Sequence, residues 1–121
     1  MALGKNMMQG GLSAGQVSAI NGQVASSLTA AGTNQATALD ITADINFFTT
    51  VASGTGCQLY AAMPGDSQII YNDGANALTV YPPASAQINS VGTNNGVLVG
   101  TNTFCEFHCV SATQWVADLS A

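Results

Sequence analysis

The fold class is decided by residues 68–82, QIIYNDGANALTVYP. The two ends of this stretch are short runs rich in β-branched and aromatic residues, which are typical of strands. Between them, the turn residues NDGAN include Gly74, which can adopt the positive φ of a tight loop. The pair Pro82-Pro83 lacks the backbone donors that would continue the second run. The stretch therefore predicts a β-hairpin.

Short strands and turns continue on both sides of this stretch. We predict further strands at residues 45–51, 57–63, 87–89, 97–99, 103–110 and 114–119. No segment from residue 36 onward has the length and period of a crossover helix, which excludes a parallel α/β fold. Seven to nine short strands at regular spacing predict an all-β fold, either an antiparallel β-sandwich or a small jelly-roll-like β-barrel.

The N-terminal part of the chain has a different composition, dense in Gly, Ser, Ala, Gln and Asn. Apolar residues recur there every three or four positions, which is compatible with one short helix over residues 13–27. Gly15 and Gly22 would each destabilise that helix by about 1 kcal/mol. We therefore predict an extended or partly helical N-terminal arm, residues 1–35, followed by a β-sandwich domain, residues 36–121. An arm that orders against a partner and a disordered tail both fit this composition.

The chain carries very few charges. Its 121 residues include a single Lys or Arg, Lys5, and six Asp or Glu, so that charged residues make up 6% of the composition. Typical soluble domains have about 25%. The net charge of −5 disfavours binding to nucleic-acid phosphates and to anionic membranes. Residues 1–11 lack the apolar stretch of a secretory signal. We expect synthesis in the cytoplasm, with no nucleic-acid or membrane partner.

His108 is the only histidine, so any acid–base mechanism would depend on it. Glu106 lies two positions earlier, on the same face of a strand and about 6.6 Å away along it. The sequence around them contains no G-x-S-x-G element, and nothing else in it supports a catalytic triad. We expect the pair to make surface hydrogen bonds and expect no enzymatic activity. A hydrolase that depends on His108 is the alternative.

The three cysteines, Cys57, Cys105 and Cys109, are too few and odd in number for a disulfide framework. In a strand, Cys105 and Cys109 would be about 13 Å apart, which is too far for a disulfide or a shared zinc ion. Since Phe107 lies between them on the same face, we expect all three side chains to pack in the core. A disulfide from Cys57 to either of them is the alternative in an oxidising compartment.

No metal or cofactor site is expected. Asp66 and Asp73 lie in turn sequences, where Asp bonds its own backbone, and the spacing of a calcium-binding loop is missing. Gly54 and Gly56 are spaced as in phosphate-binding loops, but neither a helix nor a lysine follows them. They are better explained as turn residues.

Four aromatic residues are candidates either for the core or for a contact surface. Tyr60, Tyr71, Tyr81 and Trp115 would form a carbohydrate- or protein-binding surface if they were exposed. Trp115 lies in an alternating strand, and we expect it to fill the interior of the sandwich. A tyrosine can serve both purposes, with its ring packed and its hydroxyl in water.

Residues 74–82, GANALTVYP, together with the preceding Gly65-Asp66 and the closing Thr113-Gln114-Trp115, resemble the β-domains of tailed-bacteriophage virion proteins. The resemblance is to capsid decoration (cement) proteins above all, and to related domains of head and tail fibres. It covers residues 36–119. It implies a small, often trimeric protein on the outer capsid face where capsomers meet, with a terminal arm along the shell. It implies no catalytic residues.

The expected function is therefore that of a homotrimeric capsid decoration protein. It would be made in the host cytoplasm, bind the major capsid protein on the virion surface and stabilise the shell. A domain this small gains stability when apolar strand faces are buried between subunits. The alternatives are a fibre-tip or receptor-binding module that contacts a host surface glycan, and an internal virion or tail-tube component.

Overall fold

The computed structural model describes residues 23–119. In this range the chain forms ten strands and no helix, which confirms the all-β prediction. The strands are β1 (Val24–Thr29), β2 (Leu39–Asp40), β3 (Ile45–Thr50), β4 (Gly56–Gln58), β5 (Ser67–Asn72), β6 (Leu78–Tyr81), β7 (Gln87–Ile88), β8 (Val97–Val99), β9 (Thr103–Ser111) and β10 (Gln114–Ala117).

Successive strands alternate between two sheets as far as β9. One sheet has six strands in the order β1-β3-β5-β9-β10-β7, and the other has four in the order β2-β4-β6-β8. From β1 to β6, each strand pairs in parallel with the strand two positions along the chain, so that the chain winds into stacked coils. β9 and β8 then add antiparallel strands beside β5 and β6. The fold is a solenoid-like stack, and the predicted antiparallel sandwich or jelly-roll-like barrel is wrong.

The predicted hairpin around Gly74 is also wrong, because β5 and β6 lie in different sheets. The corner between them is held by the buried side chain of Asn72. Its Nδ2 donates to the carbonyls of Asn76 (2.8 Å) and Val99 (3.0 Å), and its Oδ1 accepts from the backbone N–H of Gly74 (2.8 Å). A Cβ at Gly74 would come within 2.6 Å of the Val51 side chain. Glycine is therefore needed here for close packing and not for a positive φ.

Amide side chains also form hydrogen bonds with backbone N–H and C=O groups at other places where strands end. The buried Gln68 donates to the carbonyl of Tyr60 (2.9 Å) and accepts from its N–H (3.2 Å). Asn89 makes the same reciprocal pair with Ala117. A buried backbone group without a partner costs about 1–3 kcal/mol. The abundant Asn and Gln meet this requirement without burying a charge.

The hydrophobic core lies between the two sheets. Its largest fully buried apolar side chains are Trp115, Phe48, Phe107, Leu59, Ile70, Leu78 and Ile88. Cys105, Phe107 and Cys109 point inward from alternate positions of β9, as predicted. Trp115 is also buried in this core, as predicted. β6 ends at Tyr81, directly before the two prolines.

The first coil of the stack begins before residue 36. Most of the predicted arm and of the predicted helix lies in residues 1–22, outside the described range. The described remainder of the arm, residues 23–35, contains β1, which pairs in parallel with β3. Residues 24–27 are therefore strand and not helix.

Among the described residues, no helix is long and apolar enough to cross a membrane.

Candidate binding surface on the six-stranded sheet

The outer face of the six-stranded sheet is strongly apolar. Strand register aligns Phe47 of β3, Tyr71 of β5 and Phe104 of β9 in one row across the sheet. The rings of Phe47 and Tyr71 are stacked, with their centroids 4.8 Å and their planes 18° apart. Aliphatic side chains at outward positions extend this row, because alternate residues of a strand share a face. The aromatic face comprises Val24, Ile45, Phe47, Ile69, Tyr71, Phe104, Val110 and Val116.

Several of these side chains are largely exposed. Phe104 is 63% exposed, Val24 67% and Phe47 37%. Single exposed apolar residues are ordinary, whereas a contiguous apolar patch of more than a few hundred Å² on a soluble protein marks an interaction site. The aromatic row and the neighbouring Ile45 and Ile69 form one apolar patch, and Val110 and Val116 lie beyond the polar Glu106 and His108 on the same face. The aromatic face is therefore the candidate functional surface of the chain.

The outer face of the four-stranded sheet is polar by comparison. Register places Asp40, Gln58 and Tyr81 in one row and Thr79 beside Leu98 in the next. Leu98 is the large exposed apolar side chain of these two rows, at 64%. The two outer surfaces of the stack therefore differ in chemistry, and only one is suited to burial in a dry contact.

The predicted pair of Glu106 and His108 lies within the aromatic face. His108 Nε2 donates to Glu106 Oε1 at 2.8 Å, and both side chains are close to half exposed. This confirms that the two residues share one face of a strand. Ser67 lies opposite His108 on β5, but among the described hydrogen bonds none joins its hydroxyl to the imidazole. Glu106, the acidic side chain at the strand positions of this face, is therefore paired with His108, two positions further along β9.

A groove of about 530 Å³ runs along the outer side of β9 to the end of β10. Its lining includes Asn102, Thr103, Phe104, Glu106, His108 and Asp118. An exposed ring beside carboxylate, amide and hydroxyl groups can hold a small hydroxyl-rich ligand by stacking and hydrogen bonding. A smaller hollow of about 290 Å³ adjoins it, between Leu98, Phe104 and Leu119.

The three cysteines are buried and free. Burial raises the pKa of Cys57 and Cys109 above the ordinary value. Burial, with the nearby Asp118 carboxylate, raises the pKa of Cys105 to about 11. The protonated thiol is a poor nucleophile and a poor metal ligand. Within residues 23–119, no three His, Cys, Asp or Glu side chains lie close enough together to hold a metal ion.

The tyrosines are divided among different surfaces. Tyr60 donates its hydroxyl to Asp44 Oδ1, and burial together with this carboxylate raises the pKa of Tyr60. Tyr81 lies on the four-stranded sheet, so only Tyr71 belongs to the aromatic face. Phe104 was not predicted as a surface residue, although it is largely exposed. Its position out of phase with Cys105 and Phe107 is the signal that could have identified it.

Comparison of the chain with protein-family models, with curated proteins and with solved structures finds no match. Functional inference therefore depends on the chemistry of the aromatic face and of the groove beside it.

Proposed function

We propose that this chain is a structural protein of a tailed-bacteriophage particle, which binds the outer capsid surface where capsomers meet and stabilises the shell as a homotrimer. The observation that carries the proposal is the aromatic face. Apolar surface concentrated on one sheet, with a polar surface on the other, is typical of a subunit that functions in an assembly. The resemblance of residues 36–119 to capsid decoration proteins supports the same function.

The proposed mechanism is a shift of the assembly equilibrium. A protein that binds only the assembled shell stabilises it in proportion to the logarithm of its concentration over its dissociation constant. The low charge of this chain allows a large contact with the major capsid protein without leaving unpaired charges buried. We therefore expect the binding to depend only weakly on salt, because few charge pairs are available for screening.

The test is to add the purified full-length chain to capsids assembled without it. We expect saturable cosedimentation at a simple ratio to the major capsid protein, together with a higher temperature of shell disruption. An unrelated acidic protein of similar size serves as the control for trapping in the pellet. Absence of cosedimentation at chain concentrations up to tens of micromolar would overturn the proposal.

A second candidate, a fibre-tip or receptor-binding module for a host surface glycan, is favoured by the groove beside Phe104. Since the described residues contain no Lys or Arg, the ligand would be a neutral sugar. Calorimetric titration with neutral host oligosaccharides tests this function. Saturable binding that is lost in Phe104→Ala would support it, and no heat of binding would dismiss it.

A further inference from the structure

We infer that a second copy of this chain covers the aromatic face, which is thus the contact between subunits. The inference rests on the proposed function for the number of copies, a trimer, and on the structure for the location of the contact. It assigns Phe47, Tyr71 and Phe104 to the subunit interface. It leaves the outer face of the four-stranded sheet, with Asp40 and Gln58, outside this contact.

The distribution of charge favours a second copy as the occupant. All six acidic residues lie in the described range, whereas Lys5 lies outside it. At strand positions of the aromatic face the single acid is Glu106, which is paired with His108 at 2.8 Å. Asp118 lies at the rim of the face, after the end of β10, and Asp44 and Asp66 directly precede β3 and β5. The carboxylates of Asp44 and Asp66 accept hydrogen bonds from Tyr60 and from the N–H of Met63. Two copies, each with a net charge of −5, that meet through this face therefore bury at its strand positions only an acid that already has a partner.

The same distribution argues against a basic protein as the occupant. A partner rich in Lys and Arg would be attracted to unpaired carboxylates, such as the exposed Asp40 on the opposite sheet and the exposed Asp73 at the corner after β5. At its strand positions the aromatic face offers such a partner one carboxylate, that of Glu106, which already has a hydrogen-bond donor. The face is suited to an apolar surface with few charges, and in a threefold oligomer the aromatic faces of the three copies meet around the axis and supply such a surface to one another.

The exposed apolar area of the face is comparable with the apolar part of a subunit contact. A buried aromatic side chain covers about 150–250 Å², and Phe104 and Phe47 are 63% and 37% exposed. Val24, Val110 and Val116 add exposed fractions of 67%, 52% and 41%. Together with the partly buried residues of the face, the exposed apolar area reaches several hundred Å². A standard interface takes about 800 Å² from each partner.

Phe104 is the side chain on which the contact should depend most. It is the most exposed ring of the row and stands at its end on β9, beside the groove. Large aromatic side chains that become buried in a contact contribute a large part of its binding free energy. Replacement by Glu places a third acid close to Glu106 and Asp118, and in the oligomer this charge would be buried without a partner.

The experiment measures the mass of the full-length chain in solution by light scattering or native mass spectrometry across a dilution series. We expect the wild-type chain at three times the chain mass of 12.2 kDa. Phe104→Glu should raise the concentration at which the oligomer dissociates by about 30-fold or more. Phe104→Leu, which stays apolar, should remain within a few-fold of wild type.

Met63→Glu is the matched control, because Met63 is 74% exposed in the turn before β5 and outside the aromatic face. It should associate like the wild-type chain. Circular dichroism and protection of the three buried thiols show that each variant is folded. A wild-type chain that is monomeric at tens of micromolar, or a Phe104→Glu oligomer as stable as wild type, would overturn the inference.

The two proposals can fail separately. A monomeric chain that still binds capsids would overturn the subunit contact and leave the proposed function standing. A trimer that depends on Phe104 but binds no capsid would support the contact and overturn the proposed function.

Discussion

Asn72 turns the chain from one sheet to the other by means of hydrogen bonds from a single buried side chain. Asn72→Leu keeps the size of the residue but leaves the N–H of Gly74 and the carbonyls of Asn76 and Val99 without this partner. Each buried unpaired group costs about 1–3 kcal/mol. We predict a loss of about 3 kcal/mol or more in the free energy of unfolding, measured by urea denaturation at fixed chain concentration.

The control for this prediction is Asn95→Leu. Asn95 is exposed, and its side chain donates one hydrogen bond, to the carbonyl of Val91 at 2.8 Å. This change should cost less than about 1 kcal/mol. Equal losses in Asn72→Leu and Asn95→Leu would contradict the account of the corner.

Cys105 makes the stability depend on pH in the alkaline range. Its pKa in the folded chain is raised from 9.0 to about 11, by burial first and then by the Asp118 carboxylate. In the unfolded chain the thiol loses its proton near pH 9, whereas the folded chain holds it until about pH 11. The stabilisation of the folded chain by the protonated Cys105 thiol is therefore complete below pH 9 and is lost as the pH rises from 9 to 11.

We predict that Cys105→Ala makes the decline of the unfolding free energy across this range less steep, measured by urea denaturation in half-unit pH steps. The raised pKa values of Cys57, Cys109 and Tyr60 account for the decline that remains. The slope below pH 8 should match that of the wild-type chain, which serves as the internal control. If both chains lose stability equally between pH 9 and pH 11, the raised pKa of Cys105 is wrong.

At the scale of single strands, alternation was sufficient to predict which residues point inward. Cys105, Phe107, Cys109 and Trp115 were all placed correctly, because a period of two directs alternate side chains to opposite faces. Alternation could not predict partners, since a half-buried strand has the same pattern in parallel and antiparallel pairs. The turn residues after Asn72 predicted a hairpin. Composition does not show the side-chain hydrogen bonds of Asn72, which instead direct the chain into the other sheet.

The boundary between arm and stack can be tested with two truncations. Since β1 pairs with β3 and begins at Val24, we predict that removal of residues 1–35 exposes β3 and lowers the unfolding temperature by several degrees. Removal of residues 1–22 keeps β1 and its pairing with β3, so this chain is the matched control, and removal of residues 1–35 should lower the unfolding temperature below that of the control.

The same two chains test the arm as part of the proposed function. If residues 1–22 bridge capsid subunits, their removal should weaken cosedimentation with capsids while the stack stays folded, as circular dichroism would show. Unchanged cosedimentation would contradict this part of the proposal, and an unfolding temperature unaffected by removal of residues 1–35 would contradict the pairing of β1.

The low charge and the exposed aromatic face of the whole molecule are more typical of a subunit in an assembly than of an isolated chain. At the strand positions of the aromatic face its single acid, Glu106, is paired with His108. Amide side chains satisfy backbone groups inside the stack. The low charge was apparent from composition, but its consequence depends on the face shared by Phe47, Tyr71 and Phe104. That face is formed only when the coils stack, because its residues come from β3, β5 and β9, which are distant in sequence.

Counting the chain in purified particles shows whether it is a structural protein that covers a phage capsid. Quantitative mass spectrometry against the major capsid protein gives the copy number. We predict a ratio of one, or a simple fraction such as one half or one third. A handful of copies would instead indicate a fibre or tail position, and complete absence from the particle would contradict the account.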